Sequence, residues 1–524
     1  MPGQTTQVGE WRQEDPGTVP AGDVYGGGSP TGIAFYENGI MENRFGGYVI
    51  SCEPARNTLF GYHPKPEGAG ITLPERDIFI TSNPKKNFAG ADFRNAGGQI
   101  GYITLFRPSD VTVGPDGAVY VADWFDARVG GHSTRDVGQT GAIYRIAPKG
   151  FKSTVPKIDL DSEKGQLAAL RSPAINTRYL GFVRLKKSGG KSIPALRVLA
   201  RDKNPYLAAR AIWLFAQLGE EGEREILNLR AEGNSQARIT AFRALRRAGY
   251  SGTMELARKL AEDKSPAVRR EVAFYLRNEP GTPEVVSTLV KIAKGYNGED
   301  RSYLEAFGTG TTGKEEAVYA ALVKDVKAAA WDGATAGAVW RLMTPAAIPA
   351  LRDRVFDGNL EAEVRMQALE SIAFVRSGSA ATAMVEIANL APDKELAEQA
   401  GFWVKWNNDR WWKAHKPAEN LKGGNARAEL VSVVTPEEKA PSKLPPVAQI
   451  LKLRGDATRG KAVAGRCITC HVIGELGVDV GPNLTGFGQR FPPEIVARAI
   501  VDPSAEISLG FEAQHLVTKK DGHN

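Results

Sequence analysis

Asp263-Lys264-Ser265-Pro266-Ala267-Val268-Arg269 is the stretch whose reading decides the fold of most of this chain. It is a turn that enters a helix, and it recurs. Aligning Ser265 with Asn204 and Asn234, at spacings of 30 and 31 residues, puts apolar or small side chains at matching places. Three residues on stand Leu207, Ala237 and Val268; seven on, Ala211, Ala241 and Val272; eleven on, Phe215, Leu245 and Leu276. Glu363-Val364-Arg365 echoes the pattern later. A unit of this length cannot bury its own apolar stripe, so neighbouring units must stack into a curved solenoid, expected over residues 165–415. The stripe itself is core and implies no cofactor.

The turn is of the HEAT type, and the middle region is expected to be a HEAT-like solenoid. Gly308 to Gly313 loosens the period without ending it. Trp403, Trp406, Trp411 and Trp412 crowd the end of the array. They read as a cap that shields the last repeat, with a sugar-stacking platform as the other reading. Residues 416–446, with prolines at 417, 436, 441, 445 and 446, read as a polar linker.

Before the array, residues 1–150 read as short strands split by glycine-rich turns. Pro108 to Val113, the turn Gly114-Pro115-Asp116-Gly117 and Ala118 to Trp124 form a hairpin pattern. Ala142 to Ile146 adds a strand, and Ile33 to Tyr36 with Tyr48 to Ile50 makes an earlier pair. This is the grammar of propeller blades, yet 150 residues supply only about three blades at ~40–45 residues each. A closed ring needs at least about four. Asp123, Trp124, Asp126, Arg128 and His132 follow a strand. They read as turn chemistry, or as part of a cation or substrate site at a propeller mouth.

After the linker, residues 447–524 carry Cys467-Ile468-Thr469-Cys470-His471, the attachment signature of a c-type haem. Two thiols one helical turn apart can each bond a haem vinyl group, and the next imidazole lies against the iron. The chain has only 3 cysteines and 6 histidines, so coincidence is a poor account of the run. A structural zinc site wants a second ligand pair, and the other cysteine is the distant Cys52, which reads as a buried small side chain. Gly481-Pro482-Asn483-Leu484 follows about ten residues on. There the Pro482 carbonyl would accept the Nδ1 proton of His471, leaving Nε2 for the iron. Asp456 can cap a short helix before the signature, and Phe491-Pro492-Pro493 can start one after it.

The tail, from Gly455-Asp456 through Pro482-Asn483-Leu484-Thr485-Gly486 to Asp502-Pro503-Ser504, resembles the haem-binding domain of the Pirellula/Verrucomicrobium type. Those domains end large exported proteins with a sugar-dehydrogenase-like β-propeller in front and helical repeats between. The resemblance is close over the tail and holds in outline elsewhere. It implies a multidomain chain: partial β-propeller, α-helical HEAT-like solenoid and small α-helical cytochrome c domain. It implies a covalent haem c held by Cys467, Cys470, His471 and Pro482, and a redox partner. In the complete protein it implies a sugar-like substrate, with a quinone cofactor or calcium in the propeller. It also implies a periplasmic or exported location and a methionine beyond residue 524 as sixth iron ligand. The last methionine here is Met384, so His515 and His523 are the local substitutes.

The start, Met1 through Pro20, is polar and resembles neither a signal nor a transit peptide, and the hairpin begun at Lys520-Asp521-Gly522 has no returning strand. The chain therefore reads as truncated at both ends. No apolar run approaches the ~18 residues of a membrane span. The net charge of +7 is uneven: residues 178–277 hold 21 Lys+Arg against 10 Asp+Glu, 21 − 10 = +11, leaving −4 elsewhere. That excess is either a solvated helix face or a surface for an anionic polymer or acidic protein. Two functions follow: an electron-transfer protein serving a propeller-type dehydrogenase, or a HEAT-repeat scaffold.

Overall fold

The computed structural model describes residues 15–19, 22–23, 30–82, 106–124, 141–422, 445–469, 471–474, 476, 484–485, 487–490 and 492–501. Its largest part is a row of helix pairs. They are α1 (Glu163–Leu170) with α2 (Ile175–Ser188), α3 (Ile193–Leu199) with α4 (Pro205–Phe215), and α5 (Gly219–Glu232) with α6 (Ser235–Ala248). Next come α7 (Thr253–Leu260) with α8 (Pro266–Leu276), and α9 (Pro283–Lys294) with α10 (Arg301–Gly310). The row ends with α11 (Glu315–Leu322) and α12 (Gly333–Leu342), α13 (Ile348–Phe356) and α14 (Ala362–Ala373), and α15 (Gly378–Leu390) and α16 (Lys394–Asn408). Each even-numbered helix packs on the next even-numbered one, which makes the pairs a stack rather than a bundle.

The aligned positions do what their spacing requires. Asn204 caps α4 by accepting from the Tyr206 amide, and Asn234 caps α6 by accepting from Ala237. Ser265 occupies the same place before α8 without a side-chain cap; Asp263 Oδ1 accepts from the Ser265 amide at 2.8 Å and holds the turn instead. Ala211, Ala241, Val272, Phe215, Leu245 and Leu276 are all fully buried in one continuous core. Ala237 is only half-buried, so the three-on position is the weakest of the stripe.

Polar side chains tie each unit to the next. Arg238 on α6 grips Asp263, in the turn before α8, with two hydrogen bonds of 2.7 and 2.8 Å. Arg269 repeats the reach from α8, donating to the Gly295 carbonyl at 3.0 Å and the Tyr303 hydroxyl at 2.9 Å. Arg365 on α14 reaches Asp393, the cap of α16. The glycines at 308–313 also acquire a reason. Arg341 on α12 crosses directly over Gly308 to pair with the buried Glu305, and a Cβ there would sit 2.2 Å from its guanidinium carbon.

The N-terminal residues make two antiparallel sheets. One has four strands in the order β1 (Ile33–Tyr36), β2 (Tyr48–Glu53), β3 (Thr58–Tyr62), β6 (Arg76–Thr81); the hairpin β4 (Lys65–Glu67)–β5 (Gly70–Thr72) projects between β3 and β6. The other has β7 (Pro108–Val113), β8 (Val119–Asp123) and β9 (Ala142–Ile146). Tyr36, Ile50, Cys52 and Leu59 from the first sheet share a core with Val111, Val113, Val119 and Val121 from the second. The Tyr36 hydroxyl donates to the Gly117 carbonyl in the β7–β8 turn at 2.8 Å, joining the sheets at one end. About three blades are expected; the described residues hold these two sheets, and residues 83–105 and 125–140 lie outside them.

At the far end of the stack the tryptophans form a cap. Trp403 and Trp412 are buried, and the Trp412 indole donates to the Val375 carbonyl at 2.9 Å. The packed region runs past the expected linker start. Asn389 bonds the Asn420 carbonyl and the Lys422 amide, so residues up to 422 stay on the stack. No helix among the described residues is long and apolar enough to cross a membrane.

Two stability predictions follow from this packing. Leu245→Ala should cost about 2–5 kcal/mol, read as a lower urea midpoint, because the side chain is fully enclosed. Burial opposes ionisation of Glu271, yet the guanidinium groups of Arg243 and Arg270 bond its carboxylate and hold it below the usual range. Its contribution is thus complete above the unfolded carboxyl pKa of about 4.3 and is lost as pH falls through the lower folded value. Glu271→Gln should flatten the acid limb of a melting-temperature-versus-pH curve.

Candidate functional site

The tail begins with two short helices, α17 (Val447–Ile450) and α18 (Ala457–Val463). Asp456 caps α18 as expected, accepting from the Thr458 and Arg459 amides at 3.0 Å each. A 3-10 turn, Ala464–Thr469, then carries the chain through Cys467. The His471 amide donates to the Cys467 carbonyl at 2.9 Å, so the histidine follows the first cysteine by one helical turn. Cys467 is exposed and His471 is half-buried.

The chain next turns back. Gly474, with φ +66°, sits in a tight reversal bridged by Ile473 and Leu476. Farther on, the Leu484 amide donates to the Val472 carbonyl at 2.9 Å, and Thr485 Oγ1 accepts from the Gly474 amide at 2.8 Å. The segment that follows Pro482 is thereby stitched to the residues that follow His471. Cys470 and Pro482 themselves lie outside the described residues, as do His515 and His523. Helices α19 (Phe487–Arg490) and α20 (Pro493–Val501) complete the tail, and α20 opens at the Pro-Pro step as its sequence implies.

This tail has a physical peculiarity. Among its described residues none is buried, and Leu453, Val463, Leu476 and Ile500 are all exposed. A segment this small cannot bury enough apolar surface alone and ordinarily needs a staple such as a bound group. The donor set is one that suits a haem: an exposed thiol, a neighbouring imidazole, and apolar side chains free to cover a macrocycle. Among the described residues no group of three or more metal-ligating side chains occurs, in the tail or in the rest of the chain.

The other candidates resolve differently. Asp123 is buried, and its Oδ1 accepts from the Arg107 amide at 2.8 Å across the β7–β8 pair, a cross-strand contact rather than a turn. Trp124 is exposed, while Asp126, Arg128 and His132 lie outside the described residues. Cys52 is fully buried, and burial pushes its thiol up to about 12. Some of the cations of 178–277 are engaged within the protein. Arg197 pairs with Glu225, Arg238 with Asp263, and Arg243 and Arg270 with Glu271.

Arg178 and Arg210 serve a contact that sequence reasoning missed. Both hold Glu37, in the loop after β1, against α2 and α4. Farther along the stack, the tip of the β4–β5 hairpin is read through its main chain. The Ala69 amide donates to Asp300 Oδ2 at 2.6 Å, and its carbonyl accepts from Arg270. Gly68 makes this approach possible: its φ is +55°, and a Cβ would lie 2.2 Å from Asp300 Oδ2. Farther still, Arg301 donates to the Asp15 carbonyl at 2.6 Å and Glu305 accepts from the Gly17 amide at 2.9 Å. The helical stack is thus a scaffold for the chain's own N-terminal sheets. Contacts between residues so distant in sequence, and made partly to backbone, leave no periodic signal.

Comparison with known proteins agrees with the middle of the chain. The family described as HEAT repeats matches residues 224–306. Solved structures with a likeness include an engineered protein from the Northeast Structural Genomics Consortium: 17% identity, TM-score 0.24, 49% of this chain and 82% of that one. Another is the complex of CpcE and CpcF of phycocyanin lyase from Nostoc sp. PCC7120: 15% identity, TM-score 0.19, 53% of this chain and all of that one. No curated protein matches.

The geometry predicts a difference in thiol reactivity. In native protein lacking bound haem, maleimide should label Cys467 quickly, whereas Cys52 should label only after denaturation; peptide mass mapping reads the two separately.

Proposed function

We propose that this chain is a repeat scaffold carrying a covalent c-type haem on its tethered tail, and that it passes electrons to a partner protein. The observation that carries the reading is the return of Leu484 and Thr485 onto Val472 and Gly474, with His471 one turn after Cys467. The return of residues 484 and 485, which follow the Pro482 stretch, onto the residues after His471 supports that reading. Cys467 and Cys470 would hold the group through thioether bonds. His471 would give Nε2 to the iron while the Pro482 carbonyl takes the Nδ1 proton and fixes the tautomer. Bound there, the haem supplies a one-electron carrier.

The remaining residues have supporting roles. Exposed Val463 and Ile500 offer apolar cover, which lowers the local dielectric and tunes the potential. The scaffold holds the sheets, which we read as part of a propeller. In the complete protein that propeller would oxidise a sugar-like substrate with a quinone or calcium in its mouth. In the family that the tail resembles, haem attachment follows export, and on that ground an exported protein is proposed.

The test is expression with an export signal and cytochrome-maturation helpers, followed by haem staining of a denaturing gel. The parent chain should stain. Cys467→Ala combined with Cys470→Ala should abolish the stain, and His471→Ala should greatly reduce it, while the helical circular-dichroism signal persists. An unstained parent chain, in cells that mature a control cytochrome, overturns the proposal.

A further inference from the structure

Helix α2 presents a surface that the scaffold does not use. With 100° per residue, Gly181 and Leu185 mark its buried side and Arg178 turns toward Glu37. The opposite arc holds Ile175, Tyr179, Val183 and Leu180, which are 64, 66, 41 and 50% exposed. Among the described residues of α4, α6, α8, α10, α12, α14 and α16, Phe274 is the only comparably exposed large apolar side chain. The contrast has a structural origin. Each of those helices lies on the preceding even-numbered one, whereas α2 starts the row and has α4 on one flank only. The opposite end of the stack is sealed by Trp403 and Trp412, so the two ends are finished differently.

The charges beside this arc are of one main sign. Arg184, Lys186 and Lys187 occupy the last two turns of α2, and Lys191 follows in the turn to α3. Asp161 meets Arg184 at 3.4 Å, and Lys186 donates to Gln217 at 2.8 Å. Lys187 and Lys191 make no ion pair among the described residues, and both are exposed. An arc of aliphatic side chains with a tyrosine, passing into lysines at the C-terminal end of the helix, matches the chemistry of an interfacial helix: apolar groups enter the headgroup boundary and cations meet anionic lipids. A single-sign edge also argues against self-pairing through a two-fold axis, which would set lysine against lysine.

We infer that the exposed face of α2 docks the scaffold onto an anionic membrane surface, peripherally and reversibly, with Tyr179 and Val183 entering the interface and Lys187 and Lys191 binding headgroups. The inference is independent of the haem reading. It uses two of the cations of 178–277 that make no ion pair among the described residues; Arg201, Lys203, Arg247 and Lys264 are others.

The test is co-sedimentation of the full chain with large vesicles of phosphatidylcholine, with or without phosphatidylglycerol. Binding should require phosphatidylglycerol and fall with added salt. Tyr179→Ser with Val183→Ser should abolish it, and Lys187→Gln with Lys191→Gln should weaken it by roughly 25-fold, at about fivefold per charge. All four side chains are exposed, so the variants should melt with the parent; Gln236→Asn, on α6 and off this face, serves as a surface control that should bind normally. No binding to anionic vesicles, or binding that neither pair of substitutions alters, overturns the inference. So does a parent dimer in sedimentation equilibrium that Tyr179→Ser converts to monomer, because the face would then be a self-interface.

Discussion

Everything in the described structure rests on the fact that no helix pair here can bury its own apolar stripe. Phe215, Leu245 and Leu276 reach zero exposure only because the neighbouring pair covers them. Burial is non-directional, so it does not by itself set the register between units. The arginine bridges do: Arg238 to Asp263 and Arg365 to Asp393 each join a helix to the turn that opens a helix of the next unit. These groups are partly buried and multiply hydrogen-bonded, which makes a slipped register costly. The stack is consequently a firm body on which other parts can be placed.

The sheets are placed on it by a second set of polar contacts, and these draw part of the basic charge inward. Arg178 and Arg210 converge on Glu37; Arg270 and Asp300 take both main-chain groups of Ala69; Arg301 and Glu305 take those of Asp15 and Gly17. One row of helices thus supplies a row of docking points. A solvated basic face and an anionic-polymer surface were the two readings of the charge excess. Internal docking takes Arg178, Arg210 and Arg270 from it, while Arg201, Lys203, Arg247 and Lys264 stay exposed with no ion pair among the described residues.

The sequence made some features legible and hid others, for identifiable reasons. The caps at Asn204 and Asn234, the buried stripe, the β7–β8 hairpin and the helix capped by Asp456 are local, and local pattern is what one strand of sequence carries. Gly308 read as a loosening of the period because the guanidinium that crosses it comes from residue 341. The end of the stack was placed at 415, since prolines at 417 and beyond suggest a linker; Pro417 is instead buried in the cap. Of the residues proposed to hold a haem, the turn from Cys467 to His471 and the fold-back near Leu484 lie among the described residues, whereas Cys470 and Pro482 do not.

The account stands or falls on whether the tail carries its cofactor by covalent bonds. The most direct measurement is mass spectrometry of the matured, denatured and proteolysed chain. It should find the peptide containing Cys467 and Cys470 heavier by one haem, with neither thiol alkylatable, and Cys52 free. An unmodified peptide with both thiols open to alkylation, from cells that load haem onto a control cytochrome, would contradict it.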